Sequence, residues 1–428
     1  MPSRKDAAEP ATAKAGPDVA LKDLYEVGEI PPLGHVPKNM YAWSIRRERH
    51  GEPDTAMQVE VIPTWPLDSH DVLVLVMAAG VNYNGIWAAL GTPISPFDSH
   101  KQPVHVAGSD CSGIVWAVGS KVTRWKVGDE VVVHCNQDDG DDEECNGGDP
   151  MFSPSQRIWG YETPDGSFSQ FTRVQDRQLM ERPKHLTWEE SACYTLVLAT
   201  AYRMLFGHRP HVLRPGHNVL VWGASGGLGS MAVQLIATSG ANAIGVVSED
   251  DKIDFVRQLG AKGVINRKKF NCWGQMPVVN TPEYNNWMKE SRKFGGAIWE
   301  TTGKGNNVDC VFEHPGESTF PVSVLVVKRG GMVVICAGTT GYNLTMDARY
   351  LWMSRSASRA ATSPTCCRRH RRTSWWSNAA STRACRKCFR GCRSQKRICA
   401  CAATSISPAT WRCWFQRQSP ACAPTKMC

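Results

Sequence analysis

The sequence predicts an α/β protein in which a β-rich domain is followed by a parallel sheet covered by helices. Three observations predict it. From about Val27 to Pro210 the chain is broken by many Gly and Pro between short β-type runs. After Pro215-Gly216 apolar strands alternate with helical stretches. Within that second stretch a strand at 218–222 runs straight into a glycine-rich turn and then a helical run from Ser230 to Ser239.

Residues 1–25 are polar, rich in Ala, Lys and Asp, and carry no pattern, which predicts a loose tail. The β-rich domain is placed at 26–208, with strands in runs such as Val72–Met77 and Gly113–Val118. The second domain is placed at 209–353. Its strands are expected at 218–222, 243–247, Gly263–Ile265, Val308–Phe312 and Met332–Cys336. No internal repeat is visible. No apolar run is of signal-peptide type or long enough to span a bilayer. The seven cysteines before 354 (Cys111, Cys135, Cys145, Cys193, Cys272, Cys310, Cys336) are scattered and read as reduced thiols of a cytoplasmic protein.

The formal charge of +9 suggests nucleic-acid binding until it is placed along the chain. Residues 354–428 hold 16 Lys and Arg and no Asp or Glu, leaving 33 basic against 40 acidic residues in the body. The body is mildly acidic, and no basic stripe supports a nucleic-acid partner.

The turn Gly223-Ala-Ser225-Gly226-Gly227-Leu228-Gly229 has a strand before it, a helix after it and a second strand on schedule. Glycine permits the tight turn and a close approach to a pyrophosphate, and the helix N-terminus offers free N–H groups to its oxygens. Gly223, Ser225, Gly226, Gly227, Leu228 and Gly229 are therefore candidate dinucleotide contacts. NAD enzymes place an acidic residue at the end of the second strand to hold the ribose hydroxyls. Ser248 stands there instead, with Lys252 one helical turn on and Arg267 after the next strand. A neutral residue beside cations suits a 2′-phosphate, hence NADPH. Glu249, Asp250 and Asp251 speak against it, and Lys252 and Arg267 as solvated surface charges remain an alternative at this point.

A β-rich domain before such a nucleotide domain resembles the medium-chain dehydrogenase/reductase superfamily, whose members pair a GroES-like catalytic domain with a Rossmann-type one. Its zinc alcohol dehydrogenases carry Gly-His-Glu where this chain has Gly108-Ser109-Asp110-Cys111. The four closely spaced cysteines of the structural zinc lobe are also missing, so no metal is expected. The chain is more similar to crotonyl-CoA carboxylase/reductases. The similarity rests on Ala79-Gly-Val-Asn82-Tyr-Asn84-Gly-Ile-Trp87, Gly128-Asp-Glu-Val-Val-Val-His134-Cys135, Gln156-Arg-Ile-Trp-Gly160-Tyr161-Glu162-Thr163, Pro183-Lys-His-Leu-Thr-Trp-Glu-Glu190, Trp222 to Gly229, Val311-Phe-Glu-His314-Pro-Gly316 and Arg349-Tyr-Leu-Trp-Met353. It covers roughly 26–353.

The resemblance implies hydride addition from NADPH to the β-carbon of crotonyl-CoA. Attack of the resulting enolate on CO2 then gives ethylmalonyl-CoA, without biotin, ATP or metal. It implies that Asn84 contacts CO2, that the Tyr161 backbone helps form the pocket, that Glu162 orders it, and that Arg349 contacts CoA, where an arginine fork suits phosphate. It also implies a homo-oligomer, dimer or tetramer, with no membrane partner. From the residues alone, Asn84 could equally cap a helix and Glu162 could be a surface loop charge. His134 and His314 are read as structural. The alternatives are a non-carboxylating enoyl-CoA or quinone reductase, and a non-functional truncated product.

The family continues past Tyr-Leu-Trp-Met with a segment like K-R-I-Q-G-S-H-F-A-N, whose His completes the CO2 site. This chain has Ser354-Arg-Ser-Ala-Ser-Arg-Ala-Ala-Thr-Ser-Pro-Thr365 instead. Where average usage gives about nine acidic residues in such a length, 354–428 has none. It also has no Leu or Val and a single Gly, Gly391, but ten cysteines. A shifted reading frame accounts for it. Ser356 to Thr365 can be encoded AGC GCA TCC AGG GCA GCC ACT TCG CCA AC, which regroups from the third base to read R-I-Q-G-S-H-F-A-N. The lost His codon straddles Ala361 and Thr362. Cys385, Cys388 and Cys392 with their arginines suggest a zinc- or RNA-binding extension, but with no Leu or Val such a domain lacks the aliphatic residues for a core. Residues 354–428 are expected to be an out-of-frame, disordered tail that deprives the nucleotide sheet of its last strand.

Overall fold

The protein is described by a computed structural model covering residues 21–361 together with Ser405–Ile406. The first domain is built from β1 (Asn39–Ile45), β2 (Gln58–Pro63), β3 (Asp71–Gly80), β4 (His105–Val106), β5 (Asp110–Val118), β6 (Glu130–Val133), β7 (Asn136–Gln137), β8 (Arg157–Ile158), β9 (Phe171–Gln175) and β10 (Leu179–Glu181). β1 carries β2 and β4 on its two edges, and the larger sheet runs β10-β6-β5-β3, with β9 also paired to β3. β3 is apolar almost without interruption because both its faces are covered, and only Asp71 and Met77 are partly exposed. It ends at Gly80, where a Cβ would be driven into the carbonyl oxygen of Ala192.

The second domain contributes β11 (Asn218–Val221), β12 (Asn242–Val247), β13 (Gly263–Asn266), β14 (Val308–Glu313), β15 (Val327–Ile335) and β16 (Ala357–Ala360). Their order is β13-β12-β11-β14-β15-β16 and every pair is parallel. This is the doubly wound order in which the chain reverses direction beside the first strand, leaving a crevice there. Successive side chains of β11 serve opposite faces. Val219 and Val221 pack with the helices Thr195–Phe206 and Gly227–Thr238, whereas Leu220 and Trp222 pack with Pro282–Thr302.

Two boundaries differ from expectation. The helix Thr195–Phe206 buries Val197, Leu198, Ala201, Met204 and Leu205 in the core of the second domain, although the sequence places it in the first. Its apolar stripe at helical spacing needs a partner, and β11 supplies one. β16 comes from residues assigned to the aberrant tail. A ladder asks only for backbone groups: β16 pairs with β15 from Met332↔Ala357 to Ile335↔Ala360, and Ala361 N donates to Ile335 O at 2.9 Å. Three of its four residues, Ser358, Arg359 and Ala360, are exposed. β17 (Ser405–Ile406) pairs antiparallel with β3 at Gly80 and Ala79. The remainder of the expected tail, and the N-terminal tail up to residue 20, lie outside the described residues.

Among the described residues no helix is long and apolar enough to cross a membrane. Cys111, Cys135, Cys193, Cys272 and Cys310 are buried, and Cys145 and Cys336 partly so, and none is joined in a disulfide among the described residues.

Candidate active site

β3 delivers the chain at Gly80 to the helix Tyr83–Leu90, with Asn84 in its first turn. Asn82 is the N-cap residue, yet its side chain makes no capping bond. Its Nδ2 donates instead to Asp110 Oδ2 at 2.8 Å, so a usual helix-stabilising contact is given up. Asp110 is fully buried at the start of β5 and also accepts from Thr195 Oγ1 and from Leu196 N at 2.9 Å. Burial pushes its carboxyl up to about 6, against the pull of these donors. The carboxylate thus ties the loop before Asn84 to the helix that packs into the second domain. Asn84 Nδ2 donates to Ser109 Oγ at 2.7 Å, while Asn84 Oδ1 is buried without a partner.

Tyr161 and Glu162 follow β8. Gly160 holds φ at +73°, and a Cβ there would be driven into the Gly108 carbonyl oxygen, so the Tyr161 loop lies directly on the turn that carries Ser109. Phe168 touches the Cβ positions of both Gly85 and Gly108. Asn84, Ser109 and the Tyr161 loop are therefore gathered at one corner of the first domain. The Tyr161 hydroxyl donates to Ile94 O at 2.8 Å. Burial raises its pKa, with the charges of Glu162 and of Tyr342 from the second domain adding to the effect. Glu162 turns its Oε2 onto Ile158 N at 2.7 Å and so braces its own loop.

In the second domain Gly226 caps the helix Gly227–Thr238, and Gly226 N donates to Gly223 O at 2.8 Å to close the turn. Gly223 sits at φ +52°, and a Cβ on Gly229 would strike its carbonyl oxygen, so helix and turn pack at backbone distance. Ser225, Gly226, Gly227 and Leu228 remain partly exposed at the mouth of this cradle. The His314 ring lies where a Gly223 Cβ would be, and its Nε2 donates to Trp222 O at 3.0 Å. Burial lowers its pKa to about 4, so the ring is neutral and supports the turn. The cradle fits a pyrophosphate.

Ser248 follows β12, and Lys252 Nζ lies 3.4 Å from its Oγ. Arg267 follows β13, the neighbouring strand. Two of the three acidic residues that spoke against a 2′-phosphate are engaged elsewhere: Glu249 pairs with Lys268, and Asp250 accepts from Asn266 Nδ2 at 2.9 Å and meets Lys269 at 3.8 Å. Among the described residues Lys252 and Arg267 have no ion pair, which leaves two uncommitted cations after β12 and β13.

Arg349 is not brought to this corner. It lies on the helix Ala348–Met353, and its fork is closed on Asp347 at 2.7 and 3.0 Å. That hydrogen bonding pulls the Asp347 carboxyl down to about 2. His134 is buried in the first domain, its carbonyl accepting from Gln178 Nε2 at 2.8 Å. Among the described residues, Asp139, Asp142 and Cys145 alone bring three ligand-type atoms together. Asp142 is already committed to Cys145 N and Ser153 Oγ. Ser109, Asp110 and Tyr342 were not singled out in the sequence. The replacement of Gly-His-Glu by Gly-Ser-Asp was the one signal pointing to the first two.

Residues 68–184 match the alcohol dehydrogenase GroES-like domain, and residues 227–371 match the zinc-binding dehydrogenase family. The chain is 80% identical over 336 residues, 78% of each chain, to a crotonyl-CoA carboxylase/reductase of Cereibacter sphaeroides. It is 41% identical over 326 residues to a crotonyl-CoA reductase of Streptomyces collinus, covering 72% of this chain and 70% of that one. Among solved structures it superposes on a crotonyl-CoA carboxylase/reductase with a TM-score of 0.79 at 70% identity, covering 83% of this chain and 82% of the other. It also superposes on the 2-octenoyl-CoA carboxylase reductase CinF in complex with NADP and 2-octenoyl-CoA, with a TM-score of 0.75 at 35% identity, covering 83% and 85%. The two domains, the doubly wound sheet and the glycine cradle agree with this likeness, and the chain belongs to the crotonyl-CoA carboxylase/reductase family of medium-chain dehydrogenases/reductases.

Proposed function

We propose that this NADPH-dependent oxidoreductase reductively carboxylates crotonyl-CoA to ethylmalonyl-CoA, with Asn84 as the group that receives CO2. The observation that carries the proposal is the Asn84 amide, buried at its tip, with one polar atom lacking any partner. An orphaned buried polar atom costs about 1–3 kcal/mol; with the amide turned so that Oδ1 accepts from the Ser109 hydroxyl, the Nδ2 N–H groups take the unpaired place and can donate to a substrate oxygen. The glycine cradle, Ser248, Lys252 and Arg267 would hold NADPH. Bound there, it supplies a hydride to the substrate β-carbon. The electron pair left on the thioester enolate forms the new bond from the α-carbon to CO2. No proton enters, so the reaction converts crotonyl-CoA, CO2 and NADPH into ethylmalonyl-CoA and NADP+. Protonation of the same enolate gives butyryl-CoA, so the site must orient CO2 and exclude water. The Asn84 amide donates to the carboxylate as it develops, and the Tyr161 loop, braced by Glu162, closes one side. Arg349 would reach a CoA phosphate by exchanging it for Asp347.

The proposal extends to residues 354–428 as an out-of-frame tail. In support, 78% of this chain and 78% of the Cereibacter protein are matched, so two chains of similar length each keep a similar unmatched remainder. A homo-oligomer through the free edge of β16 accords with the family resemblance. One observation favours the non-carboxylating reductase instead: Glu162 is spent on its own loop. Incubation with crotonyl-CoA, NADPH and 13C-bicarbonate plus carbonic anhydrase decides between them. The tail, which lacks the family His, should leave only weak label in ethylmalonyl-CoA, rising when the reading frame is restored, whereas unlabelled butyryl-CoA alone from both chains would establish the plain reductase.

A further inference from the structure

Ser109 is completely buried, and its hydroxyl faces one side chain, Asn84, at 2.7 Å. With Asn84 Nδ2 donating to Ser109 Oγ, two groups are left unsatisfied: the Ser109 O–H proton and the Asn84 carbonyl oxygen. A half-turn of the amide resolves both. The hydroxyl, which can donate as well as accept, then donates to Oδ1, and both N–H groups of Nδ2 point away from it. The oxygens of CO2 only accept hydrogen bonds, so this second orientation, which spends neither N–H on Ser109, presents the substrate with both donors. Nitrogen and oxygen of a side-chain amide occupy the same space, so their hydrogen bonds decide the orientation.

The surroundings hold Ser109 still. Gly108 before it sits at φ +105°, and a Cβ there would run into Ser167 and Phe168. Asp110 after it is fixed by Thr195, Leu196 N and Asn82. Asn82 and Asn84 are thus held by adjacent residues of one strand start. The helix N-terminus they occupy is set by β5 and not by its own cap.

We propose that Ser109 is a positioning residue for carboxylation: its hydroxyl donates to Asn84 Oδ1 and turns the amide N–H groups toward CO2. This rests on Asn84 receiving CO2. The zinc enzymes of the superfamily place a histidine at this position, so a site for a metal ligand has become a site for orienting an amide.

The test is the product ratio, ethylmalonyl-CoA to butyryl-CoA, in the full chain with NADPH, crotonyl-CoA and 13C-bicarbonate. A ratio does not depend on the fraction of protein that is folded. Ser109→Ala removes the donor and leaves the amide free to take either orientation. The ratio should fall roughly tenfold, as loss of one hydrogen bond to a buried acceptor implies. The CO2 concentration for half-maximal carboxylation should rise similarly, while NADPH oxidation per active site stays within about threefold. Ser109→Cys keeps the volume with a weaker donor and should fall between. A merely structural Ser109 would lower reduction and carboxylation together and leave the ratio alone. Carboxylation by the unsubstituted chain with an unchanged ratio in Ser109→Ala would overturn the proposal by itself. Butyryl-CoA as the sole product of the unsubstituted chain, both as it stands and with its reading frame restored, would overturn it together with the role given to Asn84.

Discussion

Glu313 is a fully buried carboxyl at the end of β14, next to the histidine that supports the glycine turn. Its oxygens accept from Gly316 N at 3.1 Å, Thr319 Oγ1 at 2.7 Å and Ser323 Oγ at 2.5 Å, and Ser323 in turn accepts from Trp222 Nε1 at 2.8 Å. Burial outweighs these donors and raises its pKa from 4.5 to about 7. A carboxyl with a raised pKa binds its proton more tightly in the folded chain than in the unfolded one. Its stabilisation is complete below pH 4.5 and is lost as pH rises through about 7. The isosteric Glu313→Gln removes this titration. Between pH 5 and pH 8 the stability difference should shift in favour of the variant by about 2 kcal/mol, measured by urea unfolding at both pH values. A constant difference would mean that Glu313 does not change charge there. Asp110 acts in the same direction from its own raised pKa. None of this was legible in the sequence. Asn84 stood out through its family motif, but Ser109 and Asp110 acquire their roles from partners 25 and 85 positions away, Asn84 and Thr195. Burial, which makes them matter, is a property of the folded chain.

Elements were legible where the signal was local. The strand, glycine turn and helix at 218–238 stood in their order because turn, cap and apolar period lie within one short stretch. The ends of β12 and β13 were legible only in part, since the sequence shows Glu249 and Asp250 but not that Lys268, Lys269 and Asn266 occupy them. On the proposed assignment of Lys252 and Arg267, that pairing would make the preference for a 2′-phosphate a property of two loops acting together. Arg267→Ala with Lys252→Ala should raise the KM for NADPH roughly tenfold or more, through lost charge-assisted contacts, and leave the KM for NADH nearly unchanged. Initial-rate measurements with both cofactors check this, and equal effects on both would place these cations outside the cofactor site. The β16 strand was the element least legible, since Ala-Ser-Arg-Ala carries no apolar alternation and the ladder to β15 holds it through backbone groups.

For the whole molecule, the two domains meet through Asp110 and the helix Thr195–Phe206, whose first residue is held by one domain and whose apolar face belongs to the other. Domain order was legible from the change of rhythm after Pro215. The shared helix was not, because its stripe does not say which sheet it covers. Insertion or deletion of one base near the Met353–Ser358 codons, restoring the frame, would return Leu, Val, Asp and Glu to the segment after β15 together with the missing His. The corrected chain should melt at least several degrees higher and carboxylate at least tenfold faster than the chain with its present tail, compared by calorimetry and 13C incorporation. Equal stability and turnover would mean that residues beyond 361 are dispensable.

The thiols of the body sit in surroundings that silence them. Burial pushes Cys272, Cys310 and Cys336 to about 12, and raises Cys111 still further. Alkylation requires a thiolate that a reagent can reach. Of the two partly exposed thiols, Cys145 and Cys336, Cys145 in the 139–149 loop is likewise raised by burial, so the folded body offers an electrophile little. Residues 354–428 contain ten of the seventeen cysteines. Thiol alkylation in this protein would thus read out mainly the composition of its last 75 residues and little of the folded body.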